Sequence, residues 1–328
     1  MGVALVWGSS YLVAKDLTVV APVLVVLALR YVLSAAALGV VCRRARERTP
    51  RGRELAVGVL LGCTQAAVLT LETFGVAGTS ATNAGLIISL TVVFTPLLDG
   101  AWGRTSLPAP FFVATAVAVV GVGLLVSGDG VRAPGWGDGL MLAAAVVRAV
   151  HVSLIGRLTA DRPYSSLVLT TVQSTVGAVL LSAAAAPQLG AVARLGSAAW
   201  AQLAYLALAC TVFAFLAQTW AIRRTSPSRA SLLMGTEPLW AVAVGVSIGG
   251  ERLTVVAGLG AVLVLTATWY GQRVETAHRR AGSAQRSEPA GTGSTVAAGS
   301  TAGRSPSRTS TIPPRTTIPP TSCTGPGC

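Results

Sequence analysis

Charged side chains are scarce in this sequence. Only 11% of its 328 residues are Asp, Glu, Lys or Arg, whereas 52% are hydrophobic and the mean hydropathy is +0.66. A soluble globular domain has about a quarter charged residues, so this composition excludes an ordinary water-soluble fold. We therefore expect lipid to be the solvent of most apolar side chains.

The sequence also lacks the motifs that carry most enzymatic and metal chemistry. It contains no His-Glu-x-x-His zinc motif and no Gly-rich phosphate loop, and Asp99 stands isolated before Gly100. The five cysteines do not have the spacing of a metal site or of a disulfide framework. We accordingly predict no catalytic residue, no metal and no cofactor.

A net charge of +13 raises the question of a nucleic-acid partner. Most of the arginines, however, lie in the connectors and in the C-terminal tail, without a recognition motif. We interpret the densest group as a topology signal that faces anionic lipid, and we predict no nucleic-acid binding. This group occupies one connector and consists of Arg43, Arg44, Arg46, Arg48, Arg51 and Arg53.

Long apolar segments recur along residues 1–272. Most approach the roughly 20 residues that a helix needs to cross the hydrocarbon core, and backbone groups in lipid must pair within their own segment. We predict an all-α integral membrane protein with ten transmembrane helices. They are expected at approximately residues 1–15, 21–41, 55–76, 80–100, 109–127, 138–157, 165–186, 198–222, 228–249 and 253–272.

The first segment is the shortest because Lys15 and Asp16 interrupt it. It lacks the basic region and the cleavage site of a signal peptide, so we expect it to be retained. Whether Met1 is the natural start is left open.

The distribution of positive charge predicts the orientation. With the N-terminus in the cytoplasm, twelve connector arginines face inward and four Lys or Arg residues face outward. Both termini are therefore expected in the cytoplasm, with the protein in the plasma membrane. The inward group comprises the six clustered arginines with Arg104, Arg157, Arg162, Arg223, Arg224 and Arg229; the outward group is Lys15, Arg132, Arg194 and Arg252.

An internal repeat divides the chain. A shift of 146 residues aligns Thr79-Ser80 with Thr225-Ser226 and leaves five helices in each half. Because five is odd, the halves must insert with opposite orientation. We predict two inverted five-helix repeats, residues 1–127 and 128–272, and a disordered Ser/Thr/Pro/Gly/Arg-rich tail, residues 273–328.

Several short motifs resemble the EamA-like branch of the drug/metabolite transporter superfamily. They are Trp7-Gly8-Ser9-Ser10, Leu29-Arg30-Tyr31, Thr79-Ser80-Ala81-Thr82-Asn83-Ala84, Glu237-Pro238 and Gly249-Gly250-Glu251-Arg252-Leu253. The resemblance implies an inverted-repeat carrier of small metabolites, amino acids or drugs, often an exporter, without ATP hydrolysis in its own chain.

The sequence departs from the family pattern in two ways. The first half has Val92 and Thr105 where the repeat places Pro238 and Glu251, so it lacks both elements of that signature. The sixth predicted helix, residues 138–157, contains Arg148 and His151. At these positions the family more often has an aromatic residue and a small or aromatic one.

Ionisable residues within the predicted spans are the main candidates for function. A charge at the bilayer centre costs at least about 2.5 to 3.5 kcal/mol, so such groups must face protein or water. We hypothesise that the carboxylates neutralise the arginines around a central cavity and that one pair opens when substrate or a proton enters. The candidates are Arg30, Glu72, Arg148, His151 and Glu237.

Each candidate has a structural and a functional interpretation. Arg30 either forms an ion pair or anchors a substrate anion. Glu72 either extends to water near the outer end of its helix or couples transport to protons. Glu237, before the helix-kinking Pro238, either binds substrate or pairs with a neighbour such as Arg148.

Arg148 and His151 are three residues apart, so both are expected on one inward face. His151 could titrate near neutral pH, or it could be a hydrogen-bonded packing residue. Further cavity candidates are amphipathic or amide side chains, each of which could instead be a helix contact or part of the interface belt. They are Trp7, Tyr11, Gln65, Asn83, Gln173, Gln218 and Trp220.

From these features we predict a secondary transporter that works by alternating access, with export and proton coupling as expectations. Its partners are a small-molecule substrate and membrane lipid, and a homodimer is left open. The alternatives are an integral membrane enzyme acting on lipid-linked substrates, for which no carboxylate cluster is found, and a membrane scaffold or sensor, for which the loops are short.

Overall fold

A computed structural model describes residues 2–102, 108–127, 135–160, 162–224, 236–252 and 254–287. Those residues form helices and connectors, without a strand among them. Among these residues, eight helical segments are long and apolar enough to cross a membrane, which confirms the all-α membrane prediction. They are Gly2–Val20, Val23–Arg44, Arg53–Ala77, Ala81–Ala101, Trp136–Thr159, Ser166–Arg194, Ser197–Arg224 and Val255–His278.

Twelve α-helices are described, and we number them in chain order. They are α1 (Gly2–Val20), α2 (Val23–Arg44), α3 (Arg53–Ala77), α4 (Ala81–Ile88), α5 (Thr91–Ala101), α6 (Ala109–Ser127), α7 (Trp136–Thr159), α8 (Ser166–Ala185), α9 (Ser197–Tyr205), α10 (Ala214–Arg224), α11 (Glu237–Ser247) and α12 (Val255–Ser287). A 3₁₀ segment, Ala186–Arg194, follows α8, and a π-helical segment, Leu206–Phe213, joins α9 to α10.

The first helix is longer than its sequence indicates. It continues through Lys15 and Asp16 to Val20, where we predicted an end at residue 15. The Lys15 ammonium lies 3.7 Å from the Glu251 carboxylate, so this charge has a partner at the helix end. Pro22 then begins the connection to α2.

The fourth predicted helix is a single span with a break in its middle. The Ser80 hydroxyl caps α4 by accepting a hydrogen bond from the Asn83 N–H, and the chain turns at Ser89 and Leu90 before α5 begins. Pro96 lies inside α5, where it removes one helical hydrogen bond.

The C-terminal boundary of the last helix corrects our prediction. We placed the start of the disordered tail at residue 273, but α12 continues to Ser287. Residues 273–287 contain four arginines and three alanines, and both residue types have a high helix propensity. The predicted tail from residue 288 onward lies outside the described residues, as do Thr225 and Ser226 of the proposed repeat and Arg104, Arg132 and Arg229 of the charge count.

The principal packing connects helices from opposite halves of the chain. Helix α1 packs on α11, α2 on α8, α3 on both α7 and α8, and α4 on α11 and α7. Glycines permit these close approaches: a Cβ at Gly85 would stand 2.1 Å from the Ala241 Cβ. The centre of the bundle is therefore lined by helices of both halves.

Candidate functional site

Arg148 is the centre of a buried ionic cluster. It projects from α7, and its Nη1 and Nη2 lie 3.2 and 3.1 Å from Oε1 and Oε2 of Glu237, the first residue of α11. The two side chains thus form a bidentate ion pair, the geometry in which a guanidinium matches a carboxylate best. Both residues are buried, being 7% and 5% exposed.

Glu72 supplies a second carboxylate to the same guanidinium. Its Oε1 lies 3.5 Å from Nη1 of Arg148, and its side chain is 13% exposed. The carboxylate therefore turns inward from α3 instead of extending to water at the helix end. One cation is thus shared by two carboxylates from different helices.

Two aromatic residues of α1 complete the cluster. The Tyr11 hydroxyl donates a hydrogen bond to Glu237 Oε1 and lies 3.5 Å from Arg148 Nη1. The Trp7 ring lies against the guanidinium, with its centroid 4.3 Å from Cζ of Arg148. Trp7 is itself fixed, because its Nε1–H donates to the Cys210 carbonyl at 3.0 Å.

The backbone around Gly8 and Pro238 explains why these side chains meet. A Cβ at Gly8 would stand 2.5 Å from the Trp240 Cβ and 2.8 Å from the Glu237 carbonyl oxygen, so only glycine lets α1 approach α11 this closely. Pro238, which we predicted to kink a longer helix, is the second residue of α11 as the structure describes it. It occupies the first turn of α11, where its missing N–H needs no helical acceptor.

A small cavity adjoins the cluster in the described part of the chain. A cavity of about 20 Å³ lies beside Arg148 and Glu237 and is also lined by the buried Gln218. Such a volume holds about one water molecule.

Arg30 lies apart from these carboxylates. Its Nε–H donates to the Thr211 hydroxyl at 2.7 Å, and among the described residues no carboxylate lies within 4.0 Å of its guanidinium. Thr211 belongs to the π-helical segment, whose wider turn brings it to this position. No feature of the sequence indicated this segment.

A second group of polar side chains is buried between α2, α3, α7 and α8. His151 Nδ1 lies 2.8 Å from the Thr64 hydroxyl, whereas its Nε2 has no hydrogen-bond partner. Both amide atoms of Gln65, Nε2 of Gln173 and the Tyr31 hydroxyl are likewise buried without a partner. Because unpaired buried polar atoms are costly, this group indicates an interior suited to water or a polar ligand.

Two further candidates lie away from the cluster. Asn83 is in the first turn of α4, and its side chain is only partly buried. Trp220 is 52% exposed, and the guanidinium of Arg224 lies over its ring at 5.3 Å. Trp220 therefore belongs to the outer surface of α10 rather than to the interior.

Glu251 has a role that we did not predict. Its Oε1 and Oε2 accept hydrogen bonds from the backbone N–H groups of Ala81 and Thr82, at 2.7 and 2.9 Å, and so cap α4. The motif Gly249-Gly250-Glu251-Arg252-Leu253 was the available signal, but it does not reveal the partner. Within the described residues, no group of three or more His, Cys, Asp or Glu side chains could hold a metal ion.

Comparison with known proteins agrees with this architecture. The family model described as the EamA-like transporter family matches residues 1–127 and 135–270. In all, 28 chains of solved structures match; one, described only as the crystal structure of a protein, has a TM-score of 0.63 at 18% identity and covers 85% of this chain and 96% of its own. At that identity the likeness concerns the fold. No curated protein matches the chain.

Proposed function

The chain belongs to the EamA-like transporter family, and on that premise we propose that it carries a small polar solute across the membrane by alternating access. The observation that carries the proposal is the ion pair between Arg148 and Glu237, enclosed by Trp7 and Tyr11. Buried charges of this kind in a spanning bundle mark substrate or ion pathways.

The proposed architecture is ten helices arranged as two inverted five-helix repeats. The family model matches the chain twice, and the principal packing pairs connect helices of the two halves. The arginine-rich connector after α2 lies at the same end as the connector after α7, because Arg48 Nη2 lies 3.4 Å from the Pro163 carbonyl oxygen. We assign this end, with both termini, to the cytoplasmic side of the plasma membrane.

The ionic cluster is the proposed substrate site and gate. Trp7, Tyr11 and Glu72 come from the first half, and Arg148 and Glu237 from the second, so the cluster bridges the two halves. An entering solute competes for the guanidinium or for the carboxylate and thereby weakens the contact between α1, α7 and α11. This couples occupancy of the site to relative movement of the halves.

We propose proton coupling on the basis of the charges in this cluster. Two carboxylates, Glu72 and Glu237, face one guanidinium, so a single proton on either carboxylate leaves the cluster neutral. We assign this proton to Glu72, because Glu237 makes the bidentate contact. Export, driven by proton entry, is the proposed direction.

Counterflow into proteoliposomes tests the transport proposal. Purified protein is reconstituted, loaded with unlabelled solutes and offered a panel of radiolabelled amino acids and other small metabolites, with and without a proton gradient. We expect concentrative uptake of at least one solute, and we expect its loss in the Arg148→Met variant but not in a Gly39→Ala control, since Gly39 has no atom within 4 Å of an added Cβ. Absence of counterflow across the panel, together with turnover of a lipid-linked substrate, would favour the enzyme alternative.

The Glu72→Gln variant tests the coupling role. We expect it to retain counterflow but to lose its dependence on pH and on the proton gradient, because the amide cannot take up the proton. The Glu237→Gln variant is the matched comparison at the other carboxylate. If Glu72→Gln transports with unchanged pH dependence, the coupling role of Glu72 is refuted.

A further inference from the structure

A large cavity lies on the outside of the bundle, away from the central cluster. It has a volume of about 780 Å³, within the range of about 300–1,000 Å³ typical of ligand pockets. Its walls are the end of α10 and the start of α8 with the preceding connector. The residues that define it are Phe213, Leu216, Trp220, Arg223, Arg224 and Ser166.

The polar side of this cavity is positively charged. Arg223 donates from Nη1 to the Ser166 hydroxyl at 2.9 Å and from Nη2 to the Arg162 carbonyl at 3.0 Å, and its Nε is buried without a partner. Arg224 stacks over Trp220. Among the described residues, neither guanidinium of Arg223 and Arg224 has a carboxylate within 4.0 Å.

The start of α8 adds to this positive potential. Ser166 is the first residue of α8, and the first N–H groups of a helix have no acceptor within it. Two acidic groups lie nearby and have other partners: Glu47 Oε1 accepts from the Ser165 hydroxyl, and Glu54 accepts from the Ser165 N–H and pairs with Arg48. Neither carboxylate lines the cavity.

The other side of the cavity is apolar and faces outward. Phe213 and Trp220 are 50% and 52% exposed, and both lie on the apolar span Ser197–Arg224. In a bilayer the Phe213 side chain contacts acyl chains. Trp220 lies beside arginines, which is typical of the level of the lipid headgroups. The cavity thus combines a cationic end with an apolar wall.

From this combination we propose that the cavity binds one anionic phospholipid. The phosphate lies between Arg223, Arg224 and the start of α8, and an acyl chain follows Phe213 and Leu216. Guanidinium groups match phosphate oxygens in paired hydrogen bonds. A soluble phosphate would use the cationic end but would leave the apolar wall without an occupant, so the complementary ligand is a lipid. This inference does not depend on the transported solute.

Native mass spectrometry of the full chain tests the proposal. The protein is released from micelles that contain increasing amounts of phosphatidylglycerol or of the zwitterionic phosphatidylcholine. We expect the wild type to retain one phosphatidylglycerol molecule and no phosphatidylcholine at the same concentration. We expect the Arg223→Gln/Arg224→Gln variant to need about tenfold more phosphatidylglycerol for the same occupancy, because it loses charge-assisted hydrogen bonds.

The chain offers a matched control. Arg157 Cζ lies 4.6 Å from the Trp102 ring centroid, so this residue forms the same kind of arginine–tryptophan pair without lining the cavity. Arg157→Gln is expected to bind phosphatidylglycerol like the wild type. The proposal is overturned if Arg157→Gln loses as much phosphatidylglycerol binding as the double variant, or if the double variant binds phosphatidylglycerol like the wild type.

One further measurement distinguishes a lipid site from a site for a soluble anion. Sodium phosphate is added to the lipid-loaded wild type; its displacement of the lipid at millimolar concentration would show a soluble-anion site and overturn the lipid assignment. If the double variant does not fold, the proposal is tested by comparing the retention of phosphatidylglycerol and phosphatidylcholine by the wild type. Equal retention of both lipids refutes the proposal, and selective retention that is resistant to phosphate supports it.

Discussion

Removing both carboxylates from Arg148 should cost more stability than the two single removals together. In Glu72→Gln the guanidinium keeps its bidentate contact with Glu237, and the lost ion pair is long, at 3.5 Å. We expect a cost of about 0.5–1 kcal/mol in the free energy of unfolding. Glu237→Gln loses two charge-assisted hydrogen bonds, but Glu72 still neutralises the cation, so we expect about 1.5–2 kcal/mol.

The double variant leaves Arg148 as a buried cation without either of the carboxylates that pair with it in the described structure. An uncompensated buried charge costs about 3–5 kcal/mol. The coupling between the two carboxylates should therefore be about 1–2 kcal/mol, within the range observed for residues that share a partner. Adding Arg148→Met removes the charge itself and should restore most of the stability while abolishing transport.

The measurement is the free energy of unfolding of each variant in detergent micelles titrated with sodium dodecyl sulfate. Glu72→Gln/Glu251→Gln serves as the control, since Glu251 shares no hydrogen-bond partner with Glu72 and its cost should add within about 0.5 kcal/mol. If the Glu72→Gln and Glu237→Gln costs also add within that margin, the shared role of Arg148 is refuted. A triple variant that is no more stable than the double would refute the assignment of the cost to the unpaired charge.

Two other predictions concern the helix contacts that position the cluster. Gly8→Val should destabilise the protein by about 1–3 kcal/mol and abolish counterflow, because its side chain would meet Trp240; Gly39→Ala, at an open position, should be neutral or slightly stabilising in the same assays. Glu251→Gln should lower the free energy of unfolding by about 1–2 kcal/mol through loss of the cap on α4. Lys15→Met removes only a long ion pair whose lysine is partly exposed, so it should cost about 1 kcal/mol or less. Equal costs for Glu251→Gln and Lys15→Met would contradict the capping role.

Most of the helical architecture was accessible from the sequence, because apolar length alone identifies a segment that crosses lipid. Helix ends were harder to predict where a charged residue within the helix pairs with a residue far away in the sequence. Lys15 indicated a helix end, yet α1 continues past it, since Glu251 lies nearby in space although 236 residues away in the chain. The extension of α12 past residue 272 depends on the helix propensity of its residues, which cannot be read from the pattern of apolar residues.

The members of the central cluster were predictable as a group, since each is an ionisable or aromatic residue within an apolar segment. Their pairing was predicted only in part. The hypothesis that Glu237 pairs with Arg148 agrees with the geometry. Of the two interpretations given for Glu72, extension to water does not match its contact with Arg148. Of the two given for Arg30, the ion pair does not match its contacts among the described residues. The contact between Arg30 and Thr211 depends on a π-helical turn, and no periodicity in the sequence distinguishes that turn from an ordinary α-helix.

The position of the shared cation has a consequence for biosynthesis. Glu72 and Arg148 are 76 residues apart in the chain, so at roughly 5–20 residues per second the ribosome makes the cation about 4–15 s after the carboxylate. During that interval the nascent third helix holds an acidic group whose eventual counterion has not been translated. Glu237, by contrast, emerges when Arg148 already exists. Glu72 is thus the carboxylate that must enter the bilayer without this partner, and its protonated, neutral form has the lower cost there.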